Sequence, residues 1–111
     1  MATVAAVSSV KLVWFVPPSH LRETRDAVFA AGAGWIGGYS RCSFATLGEG
    51  TFFGGEGTTP AVGEAGSDQR VTEYRVETVV PEEKLDAVVA ALRRAHPYEE
   101  PAFDVVPRLD A

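Results

Sequence analysis

All eleven glycines of this chain lie between Gly32 and Gly66. Glycine loses more backbone freedom on folding than any other residue and weakens the interiors of helices and strands. The two flanks must therefore carry most of the regular structure, around a glycine-rich middle. The flanks are ordinary: over 111 residues the chain is 46% apolar and 23% charged, the balance of a folded protein. That length fits one domain. Collagen, a coiled coil, a disulfide scaffold and wholesale disorder are excluded by this composition.

In the first flank, Ser9 to Val16 reads as a strand. Lys11 is its only charge, and Val10, Leu12, Val13, Trp14, Phe15 and Val16 put apolar groups on both faces, which predicts a central strand covered on both sides. Pro17-Pro18 ends it. Ser19 is placed to cap a helix from about His20 to Ala31, with Leu21, Arg25, Val28 and Phe29 on one face and Gly32 at the C-terminal cap. Tyr39 to Thr46 reads as a short alternating strand, with Cys42 and Phe44 on one side and Arg41 and Ser43 on the other; Gly37-Gly38 predicts a bend or bulge before it.

In the second flank, Arg70 to Val80 alternates Glu73, Arg75 and Glu77 with Tyr74, Val76 and Thr78, the pattern of a strand with one wet and one packed face. Pro81 suits the first position of a helix. Glu82, Glu83 and Asp86 complement its N-terminus, Arg93 and Arg94 its last turn, and Leu85, Val88, Val89 and Leu92 form its buried stripe. Pro97 stops the helix. Ala102 to Val106 is the last strand, ending at Pro107.

The order β-α-β-β-α-β is the ferredoxin-like plan of an α+β protein: one antiparallel sheet with both helices on one face. The domain is expected over residues 9–108, between short tails at 1–8 and 109–111. Residues 47–69 then form a long arm between the two middle strands. It holds seven glycines, no basic residue, and Glu49, Glu56, Glu64 and Asp68; Thr51-Phe52-Phe53 forms a brief strand within it. A structureless connection that long is unusual in a compact domain. It is expected to be functional or to be ordered by contact with another subunit, and Gly48, Gly50, Phe52, Phe53, Pro60 and Gly63 are its candidate interface residues.

A net charge of −5 makes nucleic acid and anionic membranes poor partners, because phosphate contacts need clustered Lys and Arg, and Arg93-Arg94 is the only adjacent basic pair. The longest apolar stretch near the start, Leu12 to Pro18, is too short to span a bilayer. The first ten residues lack the basic start of a secretory signal, and the single Cys42 suits a reducing compartment, so a cytoplasmic location is expected. Gly32-Ala33-Gly34-Trp35-Ile36-Gly37 matches G-x-G-x-x-G literally. A dinucleotide site needs a strand before that motif and a helix after it, and here the order is reversed, so the glycines read as turn formers. The densest polar cluster is His96-Pro97-Tyr98-Glu99-Glu100-Pro101. His96 with Glu99 or Glu100 has the donor chemistry of a divalent-metal site, with Cys42 of a neighbouring subunit as a candidate further ligand; the plainer reading is a proline-fixed corner with His96 capping the last helical turn. No Ser-His-Asp or Cys-His arrangement can be argued.

Several spaced motifs, in order, carry a family resemblance. Gly32 to Phe44 (GAGWIGGYSRCSF), with Gly34, Gly37, Tyr39 and Cys42 among its marks, is followed by Gly48-Glu49-Gly50-Thr51-Phe52, Thr59 to Gly63, Glu73 to Glu77, and the closing His96 to Val105 (HPYEEPAFDV), which contains Pro97, Tyr98, Glu99 and Pro101. Together they resemble the YqfO-type, NGG-interacting-factor-like proteins over most of residues 9–108. One departure is Phe53-Gly54-Gly55 where the family often has proline after the arm's phenylalanine. In larger members this unit resembles an insert between two halves of a dinuclear-metal, hydrolase-like protein. Those halves carry the metal ligands, so the resemblance implies neither the metal centre nor hydrolase activity here. The insert is similar in fold to CutA and to the PII signalling proteins, and the resemblance implies trimers that bind metals or small ligands at clefts between subunits.

The function expected from residues and resemblance together is a non-catalytic, trimeric binding or regulatory module of the CutA/PII-like type, with the arm available to a protein partner. The alternatives are a divalent-metal-binding protein and an accessory subunit of a dinuclear-metal hydrolase-like protein.

Overall fold

A computed structural model describes residues 8–109; the expected tails lie outside the described residues except for Ser8 and Leu109. Four strands and two helices follow in the expected order: β1 (Ser9–Val16), α1 (Leu21–Ala30), β2 (Ser43–Phe53), β3 (Asp68–Pro81), α2 (Leu85–Ala95) and β4 (Phe103–Pro107). The four strands pair antiparallel in the order β2-β3-β1-β4, the ferredoxin-like arrangement.

The core lies between one face of this sheet and the two helices. Leu12, Trp14 and Val16 from β1 and Val76 and Val80 from β3 pack with Val28 of α1 and Val88 and Leu92 of α2. Fully burying a side chain of this size contributes roughly 1.5–3 kcal/mol. The buried indole of Trp14 donates to Thr24 Oγ1 over 3.1 Å, so the one polar atom of that ring is satisfied inside the core. β1 is central, but the helices cover only its even-numbered side chains. Val13 points to the other face, flanked across the ladder by Glu77 and Asp104, and is still only 2% exposed.

Local chemistry moves several boundaries. A single 3-10 turn over Pro18–His20 precedes α1, whose N-cap is His20 without a side-chain cap; Ser19 Oγ pairs with His20 Nδ1 instead of capping the helix. The C-terminus of α1 does use glycine. Gly32 N–H donates to Phe29 O and Ala33 N–H to Val28 O, the paired bonds of a Schellman cap, with Gly32 at φ +121°. Pro81 closes β3 and leads into a 3-10 turn, Glu82–Lys84, so α2 begins later than expected.

The largest correction concerns the middle of the chain. Tyr39–Thr46 and Thr51–Phe53 are not two short strands around loose glycines. One 11-residue strand, β2, runs through Gly48 and Gly50 and pairs with β3 from Ser43 opposite Thr78 to Phe53 opposite Asp68. Partner-strand hydrogen bonds outweigh the weak strand propensity of glycine here. The connection shrinks from 47–69 to 54–67, and the arm is a long hairpin that helps draw the molecule out to 56 × 28 × 23 Å. Residues 34–42 form a second, small hairpin: Ile36 and Tyr39 exchange backbone hydrogen bonds around Gly37-Gly38, and Cys42 N–H donates to Gly34 O. Arg41 and Cys42 therefore precede the strand rather than alternate along it. Arg41 sits at φ +59°, bridges to Asp26 at 2.6 Å and lies over the Phe29 ring.

Candidate ligand-binding cleft

β1 ends at Val16 opposite Tyr74, while the β2–β3 ladder continues from Glu73 to Asp68. The hairpin thus overshoots the sheet, and its tip folds back. Gly66 N–H donates to Gly54 O, and both the amide and the hydroxyl of Thr58 donate to Gly55 O. Gly54 is buried at the fold: a Cβ there would lie 2.7 Å from Thr58 Oγ1. On the other side of β1 the chain leaving α2 turns at Pro97 and Pro101, and Phe15 N–H donates to Ala102 O. Arm and corner enclose a cavity of about 400 Å³. Thr51, Phe52 and residues 58–62 line one side, Tyr98, Glu99, Glu100 and Ala102 the other, and Phe15 and Glu73 come from the sheet.

His96 builds the corner. It is buried, with Nε2 at 2.6 Å from Phe15 O, and its Nδ1 accepts the Tyr98 N–H at 3.1 Å. The second bond makes Nδ1 the acceptor and Nε2 the protonated nitrogen. Burial pulls its pKa below 6.5, against the raising effects of the Phe15 carbonyl and Glu73. The Tyr98 ring packs at 4.8 Å from the imidazole. Its hydroxyl is buried without a hydrogen bond of good geometry, beside the Glu73 carboxylate. Burial first, and Glu73 second, push its ionisation far above 10.

The expected metal ligands are separated by this geometry. Both ring nitrogens of His96 are engaged by backbone, while Glu99 and Glu100 lie exposed along the cavity. Among the described residues no group of three or more His, Cys, Asp or Glu side chains stands close enough to hold a metal ion. Cys42, half-buried, lies just before the first residue of β2, ten residues along the chain from the Phe52 that lines the cleft.

The arm residues divide. Phe52 and Pro60 line the cavity, and Phe53 points away. Gly48 and Gly50 lie in the ladder, and Gly63 sits at φ +75° against the Gln69 side chain. Of the motif residues at the sheet's far end, Gly34 packs under Phe29, Gly37 forms the small hairpin's turn, and Tyr39 and Phe44 are exposed. Phe15 and Glu73 were not singled out from sequence. Their signal is register: Glu73 faces Gly48 across the ladder, and a Cβ at Gly50 would run into its carboxylate, so glycine there makes room for an acid.

No family model matches the chain. It is 47% identical over 107 residues to a GTP cyclohydrolase 1 type 2 homolog of Halalkalibacterium halodurans, which covers 96% of this chain and 29% of that protein. A solved Bacillus cereus protein related to NIF3 matches with TM-score 0.80 and 44% identity, over 96% of this chain and 27% of its own. The chain resembles one segment of these longer proteins. It spans between a quarter and a third of their length. CutA from Synechococcus elongatus matches at TM-score 0.67 and 20% identity, covering 96% of this chain and 81% of that one, which establishes the CutA-like fold. Among the described residues no helix is long and apolar enough to cross a membrane.

Proposed function

We propose that this chain is a non-catalytic binding module that assembles with copies of itself, as a trimer, and takes a small ligand in the cleft between arm and corner. The observation that carries the reading is the sheet face without helices. Phe44 on β2 and Val106 on β4 belong to it and are 67% and 46% exposed, and β2 offers its whole 11-residue edge beside them. An apolar face next to a long free edge favours association, since an open edge is a template for another strand. The trimer implied by the CutA-like resemblance would cover both. Binding rather than catalysis is supported by the engagement of both His96 nitrogens and by a Cys42 thiol that donates to the backbone carbonyls of Tyr39 and Ser40.

Native mass spectrometry of protein purified without added ligand tests this reading. A mass of three subunits is expected, and a single-subunit mass at micromolar concentration overturns it. A second reading, an accessory subunit docking on a larger metal-dependent protein, is favoured by the small hairpin, where Trp35, Ile36 and Tyr39 stand exposed together. Co-purification with such a protein, abolished by Trp35→Ala, is its test.

A further inference from the structure

We infer that the cleft selects a small organic cation, an amine or quaternary ammonium group on a compact apolar body. The inference rests on the cleft being a ligand site, as proposed above, and adds the chemistry of what enters it. Three aromatic rings line the cavity, those of Phe15, Phe52 and Tyr98. Among the described residues its charged lining residues are Glu73, Glu99 and Glu100, and no Lys, Arg or His is among them. Among the described residues no ion pair neutralises any of these three carboxylates, although Lys11, Arg75 and Arg41 are paired elsewhere on the molecule.

Glu73 is the telling group. It is half-buried against apolar walls, its neighbour Gly50 gives up a side chain to admit it, and the nearby Tyr98 hydroxyl gives it no well-aligned hydrogen bond. A half-buried carboxylate that no cation pairs gains from a cation placed beside it, the more so where the walls exclude water. The rings add to the attraction, since a cation over an aromatic face gains from the ring quadrupole, more so when desolvated. An anion meets the opposite: three negative charges and no cationic donor. A neutral apolar molecule leaves Glu73 uncompensated. The volume, about 400 Å³, is that of a small-molecule pocket.

The test titrates the full ¹⁵N-labelled chain in phosphate buffer with benzyltrimethylammonium, benzyl alcohol and benzoate, following amide shifts while native mass is read on the same samples. The cation is expected to shift the amides of Phe52, Thr58, Tyr98 and Glu99, and to bind at least tenfold more tightly than the alcohol or the acid. Glu73→Gln is expected to weaken it roughly tenfold. Equal or tighter binding of benzoate or benzyl alcohol overturns the inference, as do shifts confined to another surface. Unchanged affinity in a folded Glu73→Gln variant does the same. Should that variant fail to fold, the exposed pair Glu99→Gln/Glu100→Gln decides, with about a threefold loss expected and no loss overturning. A three-subunit mass without cation binding sinks the ligand class alone, whereas a single-subunit mass sinks the assembly on which the module reading stands.

Discussion

His96 Nε2 donates to the carbonyl oxygen of Phe15 over 2.6 Å, tying the corner after α2 to the end of β1. The same ring accepts the amide of Tyr98, so one imidazole fixes two walls of the cleft. Replacing His96 with Ala removes the partner of a carbonyl and of an amide that are both half-buried, at roughly 1–3 kcal/mol. Chemical denaturation is expected to report that loss. It should also report a pH signature. The folded-state pKa lies below the unfolded 6.5, so the unfolded chain binds the proton first and stability falls as pH drops through and below 6.5. Above that pH both states are neutral and the group has no effect. His96→Gln should flatten the fall between pH 7 and 5; an unaltered profile would locate the acid sensitivity elsewhere.

Tyr98 sets the alkaline side. Its folded-state ionisation lies well above the ordinary 10.0, so the unfolded chain releases this proton first and stability falls as pH rises past about 10. Spectrophotometric titration of tyrosinate should show a step, absent from Tyr98→Phe, that coincides with unfolding. The phenylalanine variant should equal or exceed the parent in stability at neutral pH, because the lost hydroxyl had no good partner there.

Two glycines of the small hairpin behave oppositely on substitution. Gly34 sits at φ +91°, and a Cβ there would lie 2.7 Å from the Phe29 ring. Gly38 has open space around it. Gly34→Ala is expected to cost about 2 kcal/mol and Gly38→Ala less than about 0.5. Thermal unfolding of the two variants side by side checks the contrast; similar midpoints would mean the 34–42 segment rearranges freely.

Assembly has its own variant. Phe44 stands across from Glu77 on the helix-free face, well away from the cleft. Phe44→Glu places a charge on the face proposed to be covered and should shift native mass toward the single subunit while preserving the monomer's circular dichroism. An unchanged trimer mass would move the interface elsewhere.

Much of the fold was legible because each flank has one dominant period. Leu85, Val88 and Leu92 repeat at helical spacing, and Glu73, Arg75 and Glu77 alternate. The middle defeats such reading for a physical reason. Gly48 and Gly50 carry no side chain to alternate, so a strand held by its partner's backbone bonds looks like loop when taken alone. The cleft was half legible. The arm and the His96 corner were recognisable as segments, but His96 as a metal ligand presupposed free ring nitrogens, and the bonds that occupy them come from Phe15, 81 residues away, and from the turn itself. Glu73 was hidden because an alternating acid on a strand normally faces water.

The register of β2 against β3 limits how this chain can change length. Side chains alternate with a period of two, and Phe52 lines the cleft while Phe53 points away. Adding or removing one residue within 43–53 would exchange those two rings and move every later side chain of the strand to the opposite face. Single-residue insertions should be tolerated only in the 55–64 tip, outside the ladder. Viable variants in the strand should differ by pairs, so the spacing between Cys42 and Phe52 keeps its parity even where the residues between them drift.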